Sequence, residues 1–324
     1  MTSAAAVPRS DAMVRAMPAV FVLIWSTGFI VARFGMPHAP PMKFLALRYA
    51  LSVTAFLVWA VVAGAAWPRD RRQAGHLAIT GILMHAGYLG GVWAAVKAGM
   101  GAGLSSLLVG LQPVLTAVWI SARGGQVARR QWGGLALGLA GLVMVVWQKL
   151  GHGEVTPLNL AFALVALVSI TAGTLYQKRF VAPCDVRTAN LVQLAAAFAV
   201  TLPLALLEQE EMRWWLPTGA INRELVGAVG WSVLGLTLGG SSLLYLLIQR
   251  GAATSVTSLM YLVPPTTALM AWALFGEAIT PAIVAGMALT AVGVSLVVRP
   301  PKVQAPAPST APRESARPGS PPAT

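Results

Sequence analysis

Arg48 stands in "LALRYALS", a guanidinium with apolar residues on either side. A guanidinium can grip a carboxylate through two parallel N–H donors, so Arg48 suits the acid group of a substrate. His85, in "GILMHAGYLG", is the one titratable side chain besides Arg48 set deep in an apolar stretch, and an unperturbed imidazole changes charge near neutrality. Tyr88 follows three residues later, on the same helical face. Trp25, Tyr88 and Tyr261 offer flat rings for stacking. Ser26, Gln112 and Ser241 add hydroxyl and amide groups in similarly apolar surroundings. Together they are candidate substrate-binding residues. Each also has a plainer reading: Arg48 can snorkel to an interface, His85 can be a hydrogen-bonded packing residue, and the rings can simply pack.

What is absent narrows the chemistry further. All ten acidic residues fall in expected tails or loops. The four histidines are scattered, and no Ser/His/Asp set, metal-ligand spacing or phosphate-binding loop is present. No catalytic residue, metal or cofactor is therefore assigned. An intramembrane enzyme acting on lipid or peptide is the alternative reading, and it would need convergent acid, base or nucleophile groups at one depth. A proton-coupled carrier places a carboxylate or histidine on the path. The expectation is a facilitator or exchanger, or a carrier in which His85 takes the proton. The lone Cys184 can form no internal disulfide.

The elements that position these groups follow from composition. The chain of 324 residues is 56% hydrophobic and 10% charged, against roughly 25% charged in soluble domains. Apolar runs of about 20 residues, the length that crosses a ~30 Å hydrocarbon core, recur at about 18–36, 41–63, 76–98, 103–122, 131–148, 157–177, 188–207, 226–248, 253–275 and 280–298. These read as ten transmembrane helices of an all-α integral membrane protein, with lipid as its solvent. The first run is longer than a signal-peptide core and lacks a small-residue cleavage site, so it counts as helix one. The net charge of +13 is sorted by side. With the N-terminus in the cytoplasm, most of the 23 basic residues fall on that side, among them Arg69, Arg71, Arg72, Arg129, Arg130 and Lys178. Lys43, Lys97, Lys149, Arg213 and Arg223 fall on the other. This bias predicts a multi-pass protein of the plasma (inner) membrane with both termini cytoplasmic. The positive charge sets orientation, so nucleic acid is not expected as a partner. Residues 1–15 read as a cytoplasmic tail, and the Pro-rich 300–324 as a disordered one.

The sequence also repeats itself. "GLQPVLTAVW" lies over "YLVPPTTALM", with Pro113 on Pro264, Thr116 on Thr267 and Ala117 on Ala268. "GGLALGLAGLVMVV" matches "AGMALTAVGVSLVV", and "WSTGFIVAR" matches "ITAGTLYQK". Two five-helix halves follow, 16–149 and 157–299. An odd number of crossings makes the second half enter from the opposite side, giving the inverted repeat of secondary transporters. At 1.5 Å per residue, Pro113 and Pro264 lie ~15 Å deep from opposite faces. Interrupted helices at matching depths point to a site at the bilayer midplane. Pro113, Pro264 and Pro265 are therefore expected to break or gate helices four and nine.

Those paired segments, with "FGEAIT" after helix nine and "FVLIWSTGFIVARFGMPHAPPMKFLALRYALS" near the start, resemble the EamA-type branch of the drug/metabolite transporter superfamily over residues 16–299. The resemblance implies alternating access and a central cavity formed by helices one to four and six to nine, with five and ten peripheral. It departs from the pattern once: Glu277 stands after helix nine, but the loop after helix four has Gly125 or Gln126 in that place. The reading is a secondary transporter that exports a small polar or amphipathic, amino-acid-like metabolite. Its partners are that small molecule and membrane lipids. The "GGLALGLAGL" face of helix five suits either a homodimer or close packing inside one chain.

Overall fold

The computed structural model describes residues 9–124, 128–150, 154–241, 243 and 262–298. Tyr261, the Gly125–Gln126 position and the tail 300–324 lie outside the described residues. Within them the chain is helical apart from short connections. The elements are α1 (Arg9–Gly35), α2 (Pro41–Val62), α3 (Arg71–Lys97), α4 (Ala102–Ala122), α5 (Arg129–Leu150), α6 (Pro157–Phe180) and α7 (Val186–Leu207). They continue with α8 (Arg223–Trp231, extended by Ser232–Gly240), α9 (Val263–Phe275) and α10 (Pro281–Val298).

Local chemistry fixes where these helices begin. Asp70 accepts from the backbone N–H of Gln73, Asp185 from Arg187 and Asn222 from Leu225. Thr156 and Asn159 form a reciprocal capping box at α6, each device satisfying donors that a helix start leaves unpaired. Pro41 and Pro157 occupy first-turn positions, where the missing N–H costs nothing. The Asp70 cap starts α3 at Arg71, earlier than the apolar run alone suggests. α1 to α7 are each long and apolar enough to cross a membrane, while α9 and α10 are shorter apolar helices among the described residues. Their outward faces carry Leu51, Val58 and Val61 on α2 and Leu164, Val165 and Val168 on α6. Such faces suit lipid, in which only self-satisfied backbones such as helices are tolerated.

The packing couples early helices to late ones. α2 lies against α7, α4 against α9, and α5 against α10, while α1 packs on α8 and α3 on α6. Advancing each helix by five returns the same set of partners. The α5–α10 contact is the most extensive. A side chain added at Gly141 would strike the Gly286 carbonyl, and one at Gly293 would strike the backbone at Gly134 and Gly138. The glycine face of α5 is thus filled by α10 of the same chain.

Two irregularities shape the interior. α3 and α8 each pass through π-helical turns, at Ile82–Gly87 and Ser232–Gly240. α4 breaks at Gly110–Leu111, between Ala102–Val109 and Gln112–Ala122. The expected break at Pro113 is displaced, because Pro113 is a first-turn residue of the second piece rather than an interruption. Pro264 sits equally early in the described part of α9.

Candidate functional site

The π turns of α3 and α8 supply opposite walls of one cavity. A π turn accommodates an extra residue and loosens the regular ladder of backbone bonds, which is why such turns gather at functional sites. Here the side chains of α2 and α8 take up two of the carbonyls involved. Tyr49 donates its hydroxyl to the His85 carbonyl at 2.9 Å. Thr237 donates to the Ser232 carbonyl at 2.8 Å.

The cavity measures about 110 Å³, the same order as a ~150 Å³ apolar cavity that holds benzene. Trp25 and Phe29 reach it from α1, Arg48 from α2, and His85, Tyr88 and Trp93 from α3. Ile170 of α6 and Leu236, Thr237 and Ser241 of α8 close the other side. Most of the wall is apolar or aromatic, with a few convergent polar groups, as in binding pockets generally.

Arg48 dominates the electrostatics. It is 7% exposed, and its Nε and Nη2 donate to the Thr237 hydroxyl at 3.3 and 3.1 Å. That oxygen also donates its own hydrogen to Ser232, so its bonding capacity is used up. A guanidinium carries five N–H donors, and the other three find no partner among the described residues. Among the described residues no carboxylate lines the cavity. His85 meets the ring of Tyr49 edge-on, with centroids 6.2 Å apart, and the side-chain amide of Gln193 faces its imidazole.

The expected site residues divide accordingly. Trp25, Arg48, His85, Tyr88 and Ser241 border the cavity. Ser26 does not: it is fully buried behind the wall and joins α1 to α9 through Val263 and Thr267, both contacts at 3.5 Å. Gln112 turns to Thr174 of α6 at 2.8 Å. Pro113 and Pro265 are half-buried away from the lining. Pro264 is buried with its ring so close to Gly110 that a side chain there would lie 3.1 Å from it. Tyr49 and Thr237 escaped the sequence reading. Tyr49 adjoins Arg48, and Thr237 sits in "GLTLGGSS", where close glycines signal an irregular helix.

One end of the bundle above this cavity is bound together by charge. Glu277 accepts from the backbone N–H groups of Ala102 and Gly103, at 2.8 and 3.3 Å, and so caps α4 from another part of the chain. Left-handed Gly276 makes the turn that delivers it. Glu208 likewise caps α2 through Met42 and Lys43. Lys43 pairs with Glu211, Lys97 with Glu210, and His38 with Glu224. At the opposite end Gln73 bonds the Ala182 carbonyl, Thr188 the Ala66 carbonyl, and His76 the Tyr176 hydroxyl. There the hydrogen bond from Arg187 holds the Asp185 carboxyl below its ordinary pKa, and burial pushes the Cys184 thiol up.

Comparison with known proteins adds the following. The EamA-like transporter family matches the chain twice, over residues 16–147 and 158–299. The inner membrane transporter YedA of Escherichia coli strain K12, itself described as uncharacterized, is 26% identical over 261 residues, covering 80% of this chain and 81% of that one. A protein of Salmonella typhimurium strain LT2, named "Probable amino-acid metabolite efflux pump", is 25% identical over 287 residues, 86% of this chain and 92% of its own. A solved crystal structure at 18% identity shares the fold, with a TM-score of 0.59 over 89% of this chain and 96% of that one.

Proposed function

The chain belongs to the EamA-like transporter family, and on that premise we propose that it exports a small polar or amphipathic, amino-acid-like metabolite by alternating access through the cavity between α3 and α8. One observation carries the proposal: a buried, cavity-lining Arg48 with three N–H donors unpaired among the described residues. A charge at that depth is costly, and it is retained where it meets substrate. The name of the Salmonella relative agrees with an amino-acid-like cargo. Membership in a transporter family sets the intramembrane-enzyme alternative aside.

We read the chain as ten spans in two inverted halves, 16–149 and 157–299. The double family match and the exchange of packing partners at a step of five helices support this. Both termini then lie in the cytoplasm of a protein of the inner membrane, the location named for the YedA relative. The end joined by ion pairs then faces outward, and the end joined by neutral hydrogen bonds faces inward. Since α10 fills the glycine face of α5, a homodimer would use another surface.

The test is counterflow in proteoliposomes against amino acids and their 2-hydroxy acid analogues. Uptake of a labelled compound driven by its unlabelled form inside is the expected result; a wild-type protein that exchanges none of them overturns the proposal. His85→Gln, measured with and without an imposed pH gradient, then separates proton coupling through this histidine from facilitation or exchange.

A further inference from the structure

Resting on the reading of this cavity as the transport site, we infer that it selects a monoanionic carboxylate bearing a flat apolar group, and discriminates against the matching zwitterion and cation. Within an amino-acid-like class, that favours the deaminated 2-hydroxy or 2-oxo acid over the amino acid itself.

The argument is one of charge and of acceptors. Among the described residues the wall holds one permanent charge, Arg48, and no carboxylate. The stretch 242–261, beyond Ser241, contains no acidic residue in its sequence either. A single substrate carboxylate therefore neutralises the site and takes up the unused donors of the guanidinium in the bidentate manner such pairs prefer. A zwitterion brings the same carboxylate together with an ammonium, which needs up to three acceptors once stripped of water.

Among the described residues the cavity gives that ammonium neutral groups only. The His85 carbonyl is taken by Tyr49, and the Ser232 carbonyl by Thr237. The Thr237 oxygen is occupied by Arg48, and the His85 imidazole, with Gln193 beside it, has one ring nitrogen to offer. Among the described residues Ser241, the Tyr88 hydroxyl, one His85 ring nitrogen and the faces of Trp25 and Tyr88 remain, all of them neutral in a wall whose net charge already repels a cation. The same rings welcome an uncharged aromatic body.

A matched set of probes tests this: 3-phenyllactate, phenylalanine and phenylethylamine share one skeleton and differ in charge. Counterflow of labelled phenyllactate by the full-length protein, with each probe as competitor, should give inhibition by phenylalanine at least tenfold weaker than by phenyllactate, and none by phenylethylamine. Thermal unfolding of the purified protein should rise with phenyllactate alone. Arg48→Lys should keep the preference for the acid at lower affinity. Arg48→Gln should lose it; a folded Arg48→Gln protein that still prefers phenyllactate overturns the inference. Wild-type protein that exchanges phenylalanine as well as phenyllactate overturns the selectivity and leaves transport standing. Wild-type protein that exchanges and is stabilised by none of the three overturns the selectivity, while the wider panel decides transport separately.

Discussion

At the end of the bundle where α1 meets α2 and α7 meets α8, carboxylates reach across the chain. Glu208, Glu210, Glu211, Glu224 and Glu277 all come from the later stretch, and their partners are helix starts, lysines and a histidine of the earlier one. At the opposite end the joins are neutral hydrogen bonds, and the carboxylates of Asp70 and Asp185 cap their own helices instead. A carboxylate at a helix N-terminus gains from the dipole as well as from two charge-assisted bonds. A neutral hydrogen bond contributes about 1 kcal/mol net. The neutral end therefore separates more cheaply, and under alternating access the empty cavity should rest open toward that side.

Breaking the charged end tests this, and the largest effect should come from Glu277→Ala. It leaves the N–H of fully buried Ala102 unpaired, a loss of about 1–3 kcal/mol. The melting temperature should fall by several degrees, and a thiol introduced as Ser241→Cys, in a Cys184→Ser background, should react faster with an impermeant reagent added at the charged end. Unchanged labelling would remove Glu277 from any closing role. Glu208→Ala should act in the same direction but less, about 1 kcal/mol, since the N–H groups it caps are only half-buried. Glu211→Gln should matter least of the three. Its carboxylate is 83% exposed opposite Lys43, so a loss below about 0.5 kcal/mol that vanishes in high salt is expected.

The contrast between the ends also marks what a sequence can disclose. Positions of the helices were legible because a chain in lipid must satisfy its backbone locally and show apolar side chains outward, which leaves long runs and capping residues such as Pro41 and Asp70. Arg48 and His85 stood out because charge is rare at that depth. The π turns left no comparable trace: they come from packing α3 and α8 around other helices, and residues 82–87 read as ordinary helix. Tyr49 and Thr237 were hidden for the same reason, since their importance lies in which carbonyl each one meets. Pro113 and Pro264 were visible, and each stands in the first turn of a described helical piece, where a missing N–H costs nothing. Glu277 was placed after helix nine without its target, a helix start far away in the chain. The Gly-spaced face of α5 fitted two partners equally until α10 was seen on it.

The smallest effect is expected at the neutral end, and its form is diagnostic. Asp185 accepts from the Arg187 backbone at 2.9 Å and from its guanidinium at 3.0 and 2.7 Å. Asparagine caps a helix about as well as aspartate, so Asp185→Asn should keep the start of α7 and lose only the charge on the side chain. The Arg187 hydrogen bond lowers the native carboxyl pKa. The stability it adds is thus complete above the unfolded value near ~3.9 and is lost as pH falls through the lower native value. Wild type should then be slightly more stable than Asp185→Asn at neutral pH, and the gap should close on acidification. Because Asp185 caps its own helix and joins nothing across the bundle among the described residues, Ser241→Cys should label at the same rate in both backgrounds. Faster labelling in Asp185→Asn would mean that charge also holds this end shut, and the distinction between the two ends would fail.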